Sequence, residues 1–265
     1  MPQVGVAVAQ FSPGADARAN REAVADLVRT AAERRAGVVV LPEYSSYFVD
    51  PFDATLAAHA EDLDGPFSSH LRALAEETGT VVVAGLLERA DGRRVRNAVI
   101  AVDASGVRAV YRKAHLYDAF GQRESDWVEA GDLSAPETFD VEGLRFGLMT
   151  CYDLRFPESA RVLADAGVHV ALVPAQWVRG SLKEHHWRTL ATARAIENTM
   201  YVAAADHTPP LAVGNSLVVD PQGTAIASVG TATDVAVAFV DAAVVENVRR
   251  VNPALALRRY RVAPR

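Results

Sequence analysis

The sequence predicts a sheet-rich, layered α/β fold that forms a single domain. Three observations indicate this. Short β-branched runs recur along the 265 residues, Ala/Leu/Arg/Glu-rich stretches of helical period separate several of them, and half of the residues are hydrophobic, enough for a sizeable core. No Ser/Gly/Pro-rich linker or shift in composition divides the chain, so we expect one domain over residues 1–265.

The predicted strands and helices alternate along much of the chain. β-branched runs bounded by turn residues predict strands at Val4–Ala9, Val38–Leu41, Val81–Leu87, Ala98–Val102, Val107–Tyr111, Phe146–Thr150, Val168–Val173, Tyr201–Ala205, Ser216–Val219, Ala225–Val229 and Val235–Val240. Helical periodicity predicts helices at Asn20–Arg35, Ser68–Glu77, Pro157–Ala166 and Lys183–Asn198. The runs on either side of Asp103-Ala104-Ser105-Gly106 are expected to pair as an antiparallel hairpin. Gly37, Gly79 and Gly167 follow predicted helices, where a left-handed residue commonly ends the last turn.

The last segment, residues 241–265, is polar and rich in Arg. By itself such a segment would be a solvated extension. We expect it to be a C-terminal extension that packs at the interface with a second subunit.

Composition argues against two classes of partner. The formal charge of −6 and the isoelectric point near 5.7 leave no basic face for nucleic acid. No run approaches the ~20 apolar residues of a membrane-spanning helix, and the first residues do not resemble a signal peptide. Because the chain has one thiol and no predicted export signal, we expect it in the cytoplasm.

Cys151 is the only cysteine, so it can form neither an internal disulfide nor a Cys-rich metal site. It is therefore either a packed core residue or a nucleophile. It stands at the end of an apolar run and before a segment crowded with Tyr, Asp, Arg and Glu, which predicts a thiol at a polar rim. His185 and His186 are adjacent and do not share a helix face, so no metal or organic cofactor is expected.

Two other reactive side chains also follow predicted strands. Glu43 ends the run at 38–41, and Lys113 follows the run at 107–111. Taken alone, each is most simply a surface residue. Together with Cys151 they suggest a mechanism, because a carboxylate can take the thiol proton and an ammonium can stabilise a tetrahedral oxyanion.

The motifs around these three residues resemble the nitrilase superfamily of carbon–nitrogen hydrolases. The motifs are Leu41-Pro42-Glu43, Tyr111-Arg112-Lys113-Ala114-His115-Leu116 and Cys151-Tyr152-Asp153-Leu154-Arg155-Phe156-Pro157-Glu158. Further matches are His186-Trp187, Ala193-Arg194-Ala195-Ile196-Glu197-Asn198 and Gly214-Asn215-Ser216. The resemblance covers nearly the whole chain. It implies a four-layer αββα sandwich, a homodimer and a Glu–Lys–Cys triad.

The resemblance also implies a role for each residue of the triad. Glu43 would be the general base, Lys113 the cation beside the oxyanion, and Cys151 the nucleophile that forms a thioester. The backbone N–H of Tyr152 would complete the oxyanion hole.

The family carries a second glutamate in the loop after the lysine. Glu124 stands at the family's spacing before Gly131, and Glu129 is a nearby alternative.

The substrate implied is a small linear amide, because the region 151–198 looks most like the small aliphatic amidase branch, which includes ω-amidase and deaminated glutathione amidase. In ω-amidase-like members the position of Arg155 contacts a distal carboxylate, and a guanidinium can bind a carboxylate through paired hydrogen bonds. The alternative is that Arg155 forms an ion pair with Asp153 or Glu158 and only holds the turn. Tyr44 and Trp177 match pocket-lining positions of that branch.

The segment 175–184 departs from that branch. It carries Trp177 where ω-amidases usually have Phe, and it is one residue longer. Arg179 and Lys183 in this segment either attract an anionic substrate or lie in a solvated loop, and the loop is the simpler interpretation. N-carbamoyl amines and deaminated glutathione stay open as substrates. An inactive binding module and a redox-sensing thiol protein stay open as non-enzymatic alternatives.

Overall fold

The structure, a computed structural model, describes residues 3–133 and 135–264. Its strands are β1 Val4–Gln10, β2 Val38–Val40, β3 Val81–Arg89, β4 Val95–Asp103, β5 Gly106–Arg112, β6 Val128–Glu129, β7 Thr138–Val141, β8 Leu144–Leu148, β9 Val170–Pro174, β10 Tyr201–Ala205, β11 Leu217–Val219, β12 Ala225–Ser228 and β13 Asp234–Val240. Its α-helices are α1 Ala17–Glu33, α2 Thr55–His59, α3 Pro66–Thr78, α4 Pro157–Asp165, α5 Lys183–Asn198 and α6 Ala242–Val251. Short 3₁₀ turns occupy Glu124–Asp126 and Cys151–Arg155.

The strands form two mixed sheets. The first has the order β13-β1-β2-β3-β4-β5, with β6 beside β4, and the second has the order β12-β11-β10-β9-β8-β7. The pairs β1–β2, β2–β3, β8–β9 and β9–β10 are parallel, so chain segments leave the centre of each sheet at its carboxyl edge. Loops at such an edge are where side chains of different strands can converge.

Three buried apolar layers hold the sheets and helices together. One lies between the two sheets and includes Val6, Val40, Phe146 and Leu172. A second packs α1 and α3 on the outer face of the first sheet, and a third packs α4 and α5 on the outer face of the second. The order helix, sheet, sheet, helix is the four-layer αββα sandwich that the resemblance implied.

Most of the predicted elements are present with shifted ends. The hairpin is confirmed, because Asp103 pairs with Gly106 in the antiparallel β4–β5 ladder. Gly79 and Gly167 have the expected positive φ of 70° and 79°. At the first helix the expectation is wrong: Arg35, with φ 66°, takes the left-handed position instead of Gly37. The chain has therefore already turned back toward β2 two residues before that glycine.

The sequence did not predict α2, β6, β7 or α6. The last of these changes the description of the C-terminal segment, because residues 242–251 form a helix with Asp241 accepting from the Ala243 N–H at its start. Val245 of this helix is fully buried in the layer between the sheets. The side chains of residues 252–264 are mostly exposed, and their packing against a second subunit stays a prediction. Across the described ranges, none of the helices has the length and apolar character needed to cross a membrane.

Candidate active site

The structure brings Glu43, Lys113 and Cys151 to one cavity of about 240 Å³. Glu43 follows β2 and Lys113 follows β5, both in the first sheet, whereas Cys151 begins the 3₁₀ turn after β8 of the second sheet. The cavity therefore lies where the loops of the two sheets meet. Each of these three side chains follows a strand, as the sequence indicated.

The ammonium of Lys113 lies between two buried carboxylates. Its Nζ is 2.8 Å from Glu43 Oε1 and 2.9 Å from Glu124 Oε2, and none of the three side chains is more than 5% exposed. The structure places Glu129 elsewhere, on β6, where it approaches Arg96 at 3.6 Å. Of the two candidate glutamates, Glu124 is the one that contacts the lysine.

Neutral donors also bind the oxygen atoms of both glutamates. The Asn97 side-chain amide donates to Glu43 Oε1 at 2.7 Å and to Glu124 Oε1 at 3.1 Å. The Gln176 N–H donates to Glu43 Oε2 at 2.7 Å, and the Tyr44 hydroxyl donates to Glu124 Oε1 at 2.5 Å. The two carboxylates are thus held in one orientation before any substrate arrives.

The surroundings shift the two glutamates in opposite directions. Burial raises the pKa of Glu43, and the attraction of Lys113 only partly offsets it. Burial also acts on Glu124, but Lys113, the Tyr44 hydroxyl and the Tyr117 N–H together lower its pKa below the ordinary value. Two neighbouring carboxyl groups whose pKa values are shifted in opposite directions commonly have different roles: one exchanges protons and the other stays ionised. Glu43 is suited to the first role and Glu124 to the second.

Lys113 remains a cation in this environment. Burial alone would lower its pKa, but the charges of Glu124 and Glu43 outweigh burial and raise it well above the ordinary value. It can therefore stabilise negative charge but cannot serve as a proton donor near neutral pH.

Cys151 is more buried than the sequence predicted. The residue is only 5% exposed and packs in the apolar layer beneath α4 and α5. Cys151 therefore stands beside polar side chains, as expected, but in an enclosed cavity and not at an exposed rim. Its backbone has φ 43°, a left-handed conformation that costs a non-glycine residue roughly 1–2 kcal/mol. The turn is held by the Thr150 N–H, which donates to Asp153 Oδ2 at 2.9 Å, and by the Thr150 hydroxyl, which donates to Pro174 O at 2.6 Å.

The thiol of Cys151 is neutral in the resting site. Burial raises its pKa well above the ordinary value, the charge of Glu43 raises it further, and Lys113 opposes both. Its Sγ lies 3.5 Å from the Gln176 carbonyl oxygen, to which it donates. Since a neutral thiol is a poor nucleophile, Cys151 would need a base to remove its proton in order to act as one.

Arg155 faces the cavity and forms neither of the ion pairs considered for it. Asp153 is already bound to the Tyr111 hydroxyl at 2.8 Å and to His115 Nδ1 at 2.8 Å, and Glu158 is exposed. The guanidinium instead lies over Trp177, 4.9 Å from the ring centroid. The turn-holding interpretation, in which an acid neutralises Arg155, is therefore wrong.

The other predicted pocket residues line the same cavity. Tyr44 contacts Glu124 as described, and Tyr152 is half-buried with its ring edge against Tyr117 at 5.1 Å. Trp177 is buried, and its backbone N–H donates to Asp206 Oδ1 at 2.7 Å.

Several contributing residues were missed by sequence reasoning. Asn97 is the clearest, and its signal was a lone amide inside an apolar strand. His207, fully buried, donates from Nε2 to the Glu43 carbonyl oxygen at 2.7 Å and fixes the turn after β2. Burial lowers the pKa of His207 to about 4, so it is a neutral imidazole. Within the described residues, no group of three His, Cys, Asp or Glu side chains is placed to hold a metal ion.

The chain is similar in sequence to carbon–nitrogen hydrolases and amidases along nearly its whole length. The sequence profile of the carbon–nitrogen hydrolase family matches residues 5–250. Deaminated glutathione amidase of Escherichia coli O157:H7 is 39% identical over 256 residues, covering 96% of this chain and 97% of that protein. Omega-amidase NIT2 of Mus musculus is 30% identical over 243 residues, covering 88% and 87%.

Solved structures resemble the fold along its length. A carbon–nitrogen hydrolase superfamily protein from Xanthomonas campestris, with an arsenic adduct in its active site, superposes with a TM-score of 0.88 at 26% identity and covers 100% of both chains. An amidase from Nesterenkonia sp. superposes with a TM-score of 0.82 at 26% identity, covering 97% of this chain and 93% of that one.

Proposed function

Because this chain belongs to the carbon–nitrogen hydrolase family, and is thus a hydrolase of carbon–nitrogen bonds other than peptide bonds, we propose that it is a cysteine-dependent amidase for small linear amides that carry a carboxylate. The observation that carries the proposal is the cavity itself. A thiol and a Glu–Lys–Glu cluster line it, together with an arginine that has no acidic partner in the described residues. The thiol and the Glu–Lys–Glu cluster can carry out acyl transfer, and the arginine can bind an anion.

In the proposed reaction Glu43 takes the proton of Cys151 while the sulfur attacks the amide carbonyl carbon. The carbonyl oxygen becomes an oxyanion, which the Lys113 ammonium and the Tyr152 N–H stabilise. Glu43 then gives its proton to the leaving nitrogen, and the C–N bond breaks. Ammonia is released, and the acyl group remains on Cys151 as a thioester. A carboxyl group whose pKa is raised is suited to both transfers, because it is a stronger base than an ordinary glutamate and still a usable acid.

The second half of the reaction releases the acid. Glu43 takes a proton from water as the water oxygen attacks the thioester carbon, and the same oxyanion contacts apply. Collapse of the intermediate breaks the C–S bond, and the proton returns from Glu43 to the sulfur. Glu124 stays ionised throughout and holds Lys113 in place.

A panel of amides tests this proposal through ammonia release. We expect succinamate, which carries a carboxylate, to be hydrolysed with a higher kcat/KM than butyramide. Cys151→Ala should be folded and inactive, since the thiol is the covalent nucleophile. Intact-protein mass spectrometry of the wild type with a reactive acyl donor should show one acyl adduct. No turnover of any amide and no adduct would favour a binding module.

Deaminated glutathione is the second candidate substrate, and a specific observation favours it: the 39% identical relative is a deaminated glutathione amidase. It belongs in the same panel, as does an N-carbamoyl amine. The substrate with the highest kcat/KM identifies the branch.

We also propose a homodimer in the cytoplasm, with a small-molecule amide as its ligand and with neither nucleic acid nor membrane as a partner. Support for the dimer comes from the segment after α6, where Leu257 is 71% exposed and Tyr260 is 92% exposed. Large apolar side chains so exposed commonly mark a protein–protein contact.

A further inference from the structure

Two cations on the cavity wall have no carboxylate partner in the described residues. They are Arg155 and Lys183. The other two cations of the lining have acidic partners, because Lys113 contacts Glu43 and Glu124, and Arg123 approaches Asp126 at 3.5 Å. Cations without an acid partner are costly to enclose, since burial removes water from the charge. A ligand that brings a negative charge would offset that cost for both.

Lys183 is surrounded by an aromatic wall made of Tyr117 and Trp177, which line the cavity, and of Phe120 beside them. The residue is only 6% exposed, so the solvated-loop interpretation of this position is wrong. Its ammonium donates to the Tyr117 hydroxyl at 2.7 Å and lies 4.1 Å from the Phe120 ring centroid. Trp177 fixes its backbone, because the indole N–H donates to the Lys183 carbonyl oxygen at 2.9 Å. These contacts position the ammonium but leave its charge without a counter-ion.

Arg155 shares this aromatic wall with Lys183. Its guanidinium lies 4.9 Å from the Trp177 centroid and 5.4 Å from the Phe120 centroid, and the Lys183 ammonium lies over the same two rings. The Arg155 Nε is buried and has no hydrogen-bond partner among the described residues. Both cations lie over the same two rings, so their charges repel one another; burial, and then the charge of Arg155, lower the pKa of Lys183. An anion bound to both would relieve that repulsion.

We propose that Lys183 and Arg155 together bind the carboxylate of the substrate, and that Lys183 is a specificity-determining residue of this enzyme. The proposal rests on the proposed function, because it assumes that the amide end of the same molecule reaches Cys151. The planar guanidinium supplies paired donors and the ammonium supplies a point charge, so the two recognise one carboxylate in different ways. The cavity thereby distinguishes an anionic amide from a neutral amide of the same size.

The test compares Lys183→Met with a matched control, Arg179→Met. Each change removes one positive charge: Lys183 is the first residue of α5, and Arg179 lies four residues before it. Arg179 is exposed and does not line the cavity. We expect Lys183→Met to lower kcat/KM for succinamate roughly 10- to 100-fold, the usual effect of losing a charged hydrogen bond. Butyramide should change less than about threefold, and Arg179→Met should change neither substrate. Lys183→Arg, which keeps the cation, should retain the preference for succinamate.

A binding measurement separates this inference from the proposed function. In the Cys151→Ala background, calorimetry with succinate should show weaker binding when Lys183→Met is added and unchanged binding when Arg179→Met is added. If the wild type prefers succinamate but Lys183→Met keeps that preference and the succinate affinity, the inference fails and the amidase proposal stands. An equal loss on both amides with a lower Tm also overturns the inference, since Lys183 would then only support the Trp177 segment. If the wild type hydrolyses no amide, the proposed function fails, and the succinate titration still decides the role of Lys183.

Discussion

The ammonium of Lys113 serves two buried carboxylates, and this gives the residue a structural as well as a chemical role. Its contacts to Glu43 and Glu124 join side chains that are at most 5% exposed. Removing one partner of a buried ion pair leaves an uncompensated charge, which is costlier than removing the whole pair.

Lys113→Met is therefore expected to lose both activity and stability. We expect kcat to fall about 10²- to 10³-fold, as for the loss of an oxyanion donor, and the free energy of unfolding to fall by about 3–5 kcal/mol. Ammonia release and urea unfolding measure the two effects. The double variant Lys113→Met/Glu124→Gln should recover part of the stability and none of the activity. A single variant with near-normal kcat and a changed KM would show that Lys113 only binds substrate.

Glu43 sets the expected acid limb of the pH profile. In the proposed mechanism the free enzyme needs Glu43 ionised, and burial raises its pKa above the ordinary value of 4.5. As pH falls through that raised pKa, Glu43 gains a proton and kcat/KM should decline, so the decline begins at a higher pH than an ordinary glutamate would give. A profile of kcat/KM for butyramide, which does not itself titrate, measures this. An acid limb at or below 4.5 would contradict the assignment of Glu43 as the base.

Stability and pH are linked in opposite senses for the two glutamates. The raised pKa of Glu43 favours its protonated form, so its contribution to stability is complete at low pH and is lost as pH rises through the folded-state pKa. The lowered pKa of Glu124 favours its ionised form, so its contribution is present above the ordinary pKa and is lost as pH falls through the folded-state value.

The sequence predicted the proposed catalytic residues of the cavity better than the residues that contact them. Glu43, Lys113 and Cys151 each follow a predicted strand, which is a local signal. Asn97 lies inside a strand, and its contact with Glu124 depends on how distant segments pack, which no local pattern contains. Lys183 was interpreted as a solvated loop residue for a similar reason, because its contacts are with Tyr117 and Phe120, which are distant in the sequence.

At the scale of elements, β3 holds the Glu43 turn through a glycine. A Cβ at Gly85 would stand 2.2 Å from the Tyr44 nitrogen and 2.6 Å from the Glu43 carbonyl carbon. Both contacts are backbone atoms, which cannot move aside as a flexible side chain can. The close approach also allows the Gly85 N–H to donate to the Pro42 carbonyl oxygen at 3.1 Å.

Gly85→Ala is expected to displace Glu43 and to lower activity and stability together. Overpacking of this kind typically costs about 1–3 kcal/mol, and a shift of the base should reduce kcat on succinamate and butyramide alike. Gly230→Ala is the matched control, because a Cβ there meets nothing within 4 Å. Thermal scans and kcat for both variants make the comparison. If Gly85→Ala matched the control in both measurements, the close packing would not position Glu43.

The elements that the sequence missed are short or lie in polar surroundings. β6 spans Val128–Glu129, and β7 has only one buried residue, so neither gives a clear run of β-branched residues. α6 begins in a segment that was interpreted as a polar extension, and its buried side comprises Ala242 and Val245. The four-layer arrangement was implied by the family motifs; the hydrophobic pattern alone predicted only a layered α/β fold.

At the scale of the whole molecule, the C-terminal segment is expected to control assembly. The double variant Leu257→Asp/Tyr260→Asp places charge where the proposed dimer contact is apolar, so we expect a monomer in light scattering while the wild type is a dimer. Arg259→Ala, an exposed neighbour, is the control and should leave the mass unchanged. A wild type that stays monomeric at micromolar concentration would contradict the homodimer.

The enclosed, protonated Cys151 has a consequence for the lifetime of the enzyme. Peroxides and alkylating reagents react with thiolates, and both the charge state and access decide how fast they do so. A thiol that is 5% exposed and whose pKa is raised by burial is a slow target for both. A redox sensor needs an accessible thiol with a low pKa. Cys151 should therefore react with an amide substrate and remain unmodified by an oxidant that damages accessible, low-pKa cysteines.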